Sequence, residues 1–140
     1  ENSYFVCMVR NPYAQVEGII RRNGATTEYA ANFAINCLKY QQRNIEQEKN
    51  LLFFTYEQLC EDKTKTIEQL IHFIPELSDI QVNAQFKAHN FKTKGSMSIT
   101  NLNAEKIAKL SSNQLDTINA IFKKNAALLD YFNYSIIEKN

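Results

Sequence analysis

Short unbroken apolar runs alternate along the chain with longer stretches in which apolar residues recur every three or four positions. The first run, Tyr4-Phe5-Val6-Cys7-Met8-Val9, is rich in aromatic and β-branched residues. A run of this length with no polar alternation predicts a strand buried on both faces, as in parallel sheets. Asn11 and Pro12 follow as a helix start. Asn is a strong cap, and Pro loses nothing at the first helical position because an N–H there would have no intrahelical partner. The helix predicted from about Pro12 turns Val16, Ile19 and Ile20 inward and stops at Asn23-Gly24, where glycine takes positive φ at little cost. Thr26 opens a longer helix, with a stripe of Ala30, Phe33, Ala34, Cys37, Leu38, Gln41 and Ile45 reaching about Lys49. Leu51-Leu52-Phe53-Phe54-Thr55 is the second apolar run. A strand, roughly forty residues of helix and another strand predict parallel pairing through a right-handed crossover.

Beyond Thr55 the helical period persists. Asp62 is placed to cap a helix carrying Ile67, Leu70, Ile71 and Ile74, which Pro75 interrupts. From about Ser78 to Leu102 no period holds, and the stretch contains His89, Lys92, Lys94 and Gly95; this reads as a long functional loop. Asn103 is expected to cap a short helix through Leu110. Ser111 and Gln114 have capping-box spacing before Leu115, Ile118, Ile121 and Phe122. A last helical turn with Leu128, Leu129 and Phe132 ends near Asn133. The expected class is α/β, a short parallel sheet flanked by helices, in one domain spanning residues 1–140.

Composition narrows the function classes. The chain has 140 residues, of which 44% are apolar and 22% charged, so it can bury a core without disulfides or a metal. With 16 basic and 15 acidic residues there is no global field to draw nucleic acid or an anionic membrane, so any anion site must be local. Cys7, Cys37 and Cys60 are odd in number and far apart, with no C-x-x-C spacing. They read as buried thiols of a reducing, cytoplasmic compartment, not as a disulfide framework or a zinc site. No apolar run approaches the ~20 residues a membrane span requires. The first strand begins almost directly after Glu1, with no signal-peptide pattern, which predicts a domain truncated at its N-terminus.

A parallel strand feeding a helix through a tight turn is where α/β proteins bind anions, because the helix N-terminus offers unpaired N–H groups and about half a positive charge. Arg10 adds a planar fork suited to phosphate oxygens. Taken alone, Arg10-Asn11-Pro12 reads first as a capped helix whose arginine pairs with a neighbouring carboxylate. Tyr56 also attracts notice, because it follows a strand end where ligands collect in such sheets. His72 is expected to face solvent, His89 to make a loop hydrogen bond, Glu17 to be an exposed helical carboxylate and Lys123-Lys124 a solvated face.

Several segments in order resemble sulfotransferases. Phe5 to Ala14, containing Arg10-Asn11-Pro12, is similar to the family's strand followed by Arg-Asp/Asn-Pro. Leu51 to Asp62, with Tyr56-Glu57 and a trailing acidic pair, is similar to its later strand. His89-Asn90-Phe91-Lys92-Thr93-Lys94-Gly95 resembles the basic loop that closes over the nucleotide, and Asp130-Tyr131-Phe132-Asn133-Tyr134 resembles the end of bacterial-type members. The resemblance implies the C-terminal part of a fold related to P-loop kinases. It also implies an activity, transfer of a sulfuryl group from 3′-phosphoadenosine 5′-phosphosulfate to a hydroxyl or amine acceptor. By position, Arg10, Lys94 and the Gly95 backbone would bind the nucleotide's 3′-phosphate, and Tyr56 would lie beside the adenine. Gly18 stands where the family usually has a phosphate-binding serine, and Thr93 where an arginine commonly precedes Lys-Gly. Only nine residues precede Arg10 and no G-x-x-x-x-G-K-[ST] occurs. The chain is therefore expected to hold the 3′-phosphate half of such a site, without the phosphosulfate loop, the catalytic base or any metal, and to be inactive in isolation. The alternative is a non-catalytic nucleotide-binding or interaction module, open to homo-oligomerisation through an exposed sheet edge at the first strand. Another P-loop-related phosphotransferase fragment ranks third.

Overall fold

Strand β1 (Phe5–Val9) pairs in parallel with β2 (Leu51–Thr55), Phe5 standing opposite Leu51 and Val9 opposite Thr55. The structure is a computed structural model describing residues 3–81 and 98–138. Helices α1 (Pro12–Asn23) and α2 (Thr27–Gln47) connect the two strands. After β2 come α3 (Tyr56–Glu61), α4 (Lys63–Phe73) and a short 3-10 turn at Pro75–Leu77. The later described residues form α5 (Asn103–Ile107), α6 (Ser112–Lys123) and α7 (Ala126–Tyr131). Among the described residues the fold is thus mixed α/β, with a two-stranded parallel sheet.

The helix ends follow local chemistry. The Asn11 side chain accepts from Tyr13 N–H and Ala14 N–H, and Gly24 closes α1 with φ 62°. Thr26 caps α2, Asp62 caps α4, and Ser111 with Gln114 forms the capping box of α6. Asn133 takes φ 59° after α7, a conformation Asn tolerates better than most residues, and the following Tyr134 N–H returns to the Leu129 carbonyl.

The core lies between helices and only secondarily on the sheet. Tyr13, Val16, Leu38, Ile118, Phe122 and Leu129 are among its largest fully buried side chains, drawn from α1, α2, α6 and α7. The rings of Tyr13 and Phe122 meet edge to face with centroids 4.8 Å apart.

Several expectations need correction. Strand β1 is not buried on both faces: Cys7 and Val9 are inside, whereas Phe5, Val6 and Met8 are 47%, 46% and 46% exposed. Side chains alternate along the strand, so Val6 and Met8 share the face opposite Cys7 and Val9 and are left uncovered, whereas Phe5 shares the inner face and is exposed at its first position. On α2, Phe33 lies outside, and the buried stripe is instead Ala30, Ala31, Ala34, Ile35 and Leu38. Asn103 does not cap α5 but is its first residue, and its side chain is used elsewhere. Helix α3 follows the helical period expected beyond Thr55, and Thr55 and Gln58 form its capping box with the spacing used to place α6. Of the three free cysteines only Cys7 is fully buried; Cys37 and Cys60 are half-buried. His72, Lys123 and Lys124 are exposed, as expected.

Candidate functional site

Where β1 ends, the chain turns through Arg10 and Asn11 into α1, and this turn is the centre of a polar cluster. The α1 N-terminus does not present free amides. Pro12 has no N–H, the Asn11 side chain takes those of Tyr13 and Ala14, and Gln15 N–H bonds to the Asn11 carbonyl at 3.1 Å. The Asn11 N–H itself donates to Glu57 Oε1 at 2.8 Å. An anion at this turn would therefore depend on side chains, with the helix dipole in support.

Helix α3 starts directly at the end of β2, and this places Tyr56 and Glu57 beside the turn. The Arg10 guanidinium lies over the Tyr56 ring, 4.2 Å from its centroid, a cation–π contact. The Tyr56 hydroxyl donates to the Thr100 carbonyl and accepts from Leu102 N–H, which fixes the approach to α5. Arg10 Nε donates to Asn103 Oδ1 at 2.7 Å, and Asn103 Nδ2 in turn donates to Glu57 Oε1. The remaining Glu57 oxygen accepts from the Tyr134 hydroxyl at 2.9 Å. Glu57 thus joins the β1–α1 turn, α5 and the C-terminal tail. No ion pair links Arg10 to Glu57 among the described residues; Asn103 stands between them. Arg10 Nη2 is buried and has no hydrogen-bond partner there.

Burial, with the adjoining Glu57 carboxylate, pushes the Tyr134 phenol far above its ordinary value, and burial likewise raises Tyr13 and Tyr56. A folded-state pKa above the unfolded value means that these phenols lend stability that is complete below the unfolded value of 10.0 and lost as pH climbs toward the folded one. Urea denaturation at about pH 8 and about pH 10.5 is expected to show this alkaline loss, and Tyr134→Phe to make it shallower. An identical alkaline loss in the variant would contradict the assignment.

Beside the turn, a cleft of about 490 Å³ opens between the end of β1 and helices α1 and α2. Its lining includes Arg10, Gln15, Gly18, Arg22 and Gln41, and its charged residues are two arginines with no carboxylate. A Cβ placed on Gly18 would meet nothing within 4 Å. The structure therefore brings Arg10 and Tyr56 into contact and places Gly18 on the same cleft as Arg10. Lys94 and Gly95, and with them Thr93 and His89, lie outside the described residues.

Glu17 differs from expectation: it is buried, its Oε1 pairs with Arg21 Nε at 3.0 Å, and its Oε2 has no partner among the described residues. It faces away from solvent without lining the cleft, so it is neither the exposed carboxylate expected nor a wall of that pocket. The residues whose roles the sequence did not disclose are Glu57, Asn103 and Tyr134. Glu57 and Tyr134 belong to the Tyr56-Glu57 and C-terminal motifs, but sequence spacing does not disclose that they meet.

Among the described residues no group of histidine, cysteine and carboxylate side chains could hold a metal ion, and no helix is long and apolar enough to cross a membrane. Comparison with protein-family models, curated proteins and solved structures found no match for the chain.

Proposed function

We propose that the chain is a sulfotransferase-like domain whose β1–α1 turn binds the 3′-phosphate of 3′-phosphoadenosine 5′-phosphosulfate. The observation that carries this reading is the pairing of Arg10, with its buried unpartnered Nη2, and a cleft whose charged residues are both arginines. A guanidinium whose Nη2 lacks an acceptor, beside a cleft lined by no carboxylate, fits a dianionic phosphate, which would satisfy it with charge-assisted hydrogen bonds. Arg10 would make the principal contact, with Arg22 and Gln15 on the cleft wall; the sulfotransferase resemblance assigns Lys94 and Gly95 to the same phosphate. When bound, the nucleotide supplies the sulfuryl group; these residues bind and orient it. The acceptor is a hydroxyl or amine, and the 140 residues on their own are expected to show no transferase activity.

Calorimetric titration with 3′,5′-bisphosphoadenosine tests the reading. Arg10→Ala is expected to weaken binding by about 2 kcal/mol, roughly 30-fold. Gly18→Ser has open space for its side chain and is expected to tighten binding by up to about tenfold, through one added hydrogen bond to a charged oxygen. Equal heats for wild type and Arg10→Ala, or no preference over adenosine 5′-monophosphate, would count against it.

A second reading, an interaction module, is favoured by the exposed apolar residues of β1. In the parallel ladder Phe5 N–H points to β2, bonding the Asn50 carbonyl at 2.8 Å, so the amides of Val6 and Met8 point to the other edge. A second copy pairing along that edge would bury Val6 and Met8. Light scattering after size exclusion is expected to show concentration-dependent dimers that Val6→Lys abolishes. A monomer at all concentrations removes this reading.

A further inference from the structure

We propose that Asn103 is the positioning residue of Arg10, holding the guanidinium in place for its ligand as the middle member of a Glu57–Asn103–Arg10 relay. The inference rests on the reading of Arg10 as an anion-binding residue and adds what sets that residue's geometry.

A side-chain amide can present either its oxygen or its nitrogen to a neighbour, and only the oxygen can accept from arginine. Here the choice is forced. Glu57 Oε1 is an acceptor that also takes the Asn11 N–H, so the Asn103 group facing it must be the NH₂. That leaves Oδ1 facing Arg10 Nε at 2.7 Å. Asn103 is itself 8% exposed, and its backbone N–H is held by Asn101 Oδ1 at 3.0 Å, so the amide is anchored at both ends. The Tyr134 hydroxyl, on a residue also 8% exposed, holds the second Glu57 oxygen and with it the carboxylate plane. With Nε fixed and one face of the guanidinium against Tyr56, the plane of the fork is determined. Nη2 is then held buried without an acceptor. A carboxylate in the place of Asn103 would neutralise Arg10. A neutral amide orients the cation and leaves its charge available to a ligand, and the Glu57 charge is kept one residue away.

The test combines a ligand-free readout with binding. Nitrogen-15 NMR of the full chain is expected to show an Arg10 Nε–H resonance protected from exchange with water. In Asn103→Leu that resonance should shift and exchange at least tenfold faster. Tyr134→Phe, which leaves Asn103 in place, should produce a smaller change in the same direction and serves if Asn103→Leu does not fold. Titration with 3′,5′-bisphosphoadenosine should find Asn103→Leu about tenfold weaker than wild type, but no weaker than Arg10→Ala when combined with it. A purely structural role for Asn103 would instead weaken both backgrounds equally, and that result overturns the inference. So does an Nε–H resonance that neither Asn103→Leu nor Tyr134→Phe alters. Failure of the wild type to bind the nucleotide removes the anion reading of Arg10 instead, and the resonance then still decides whether Asn103 holds the guanidinium.

Discussion

Phe122→Ala is expected to lower folding stability by about 3–5 kcal/mol, a large share of the ~5–15 kcal/mol available to a domain of this kind. Phe122 is fully buried on α6, and its ring meets that of Tyr13, which is equally buried on α1. Truncation removes the transfer free energy of the ring and also leaves a cavity, because neighbours on α1 and α2 are themselves packed and can relax only in part. The Tyr13 hydroxyl accepts from Ile137 N–H at 3.1 Å and bonds Asn119 on α6, so a shifted Tyr13 ring also strains the tail that Asn119 holds at the Ile137 carbonyl. Met8→Ala on the exposed side of β1 should cost only about 0.5 kcal/mol. Urea denaturation of both variants measures the contrast. A Phe122→Ala loss below about 1.5 kcal/mol would mean that the helical layers collapse onto the gap, and that the core is less rigid than its burial indicates.

That contrast also shows which parts of this fold can be read from sequence. The strand, helix and cap positions from Tyr4 to Thr55 are local properties: Asn11-Pro12, Asn23-Gly24, Thr26 and the two apolar runs each act within a few residues. Burial is not local. The run Phe5-Val6-Cys7-Met8-Val9 has the composition of a doubly covered strand, yet its coverage depends on what lies beside it, and no residue within the run encodes that. Phe33 fails for a related reason, since both Ala31 and Phe33 can be placed on a helical stripe and only the position of α6 selects between them. At the candidate site, Arg10 and Tyr56 were legible because each follows a strand end. Asn103 has the residue type and the place at a helix start that suit a cap, and neither discloses its long-range contacts. Its actual partners, Arg10 and Glu57, are 93 and 46 residues away in sequence.

Glu57→Ala is the second large effect, about 3–4 kcal/mol, and it follows from counting donors. The carboxylate accepts from Asn11 N–H, Asn103 Nδ2 and the Tyr134 hydroxyl, which come from three separate parts of the chain. Removing it strands all three, and a buried donor left without an acceptor costs about 1–3 kcal/mol; water admitted by the missing side chain offsets part of the sum. Glu57→Gln separates shape from charge. It keeps one acceptor oxygen for Asn11 and Asn103, and its NH₂ can donate to the Tyr134 hydroxyl, so the expected cost falls to about 1–2 kcal/mol. Glu61→Ala, at an exposed position of the same helix, should stay within about 0.5 kcal/mol. Hydrogen exchange adds a spatial signature, because loss of Glu57 should release the amides of Asn11 and of the tail after Tyr134 while those of α2 keep their protection. If Glu57→Ala proves no more costly than Glu61→Ala, the carboxylate does not tie the turn, α5 and the tail together, and the geometry of Arg10 must be set by its stacking on Tyr56 alone.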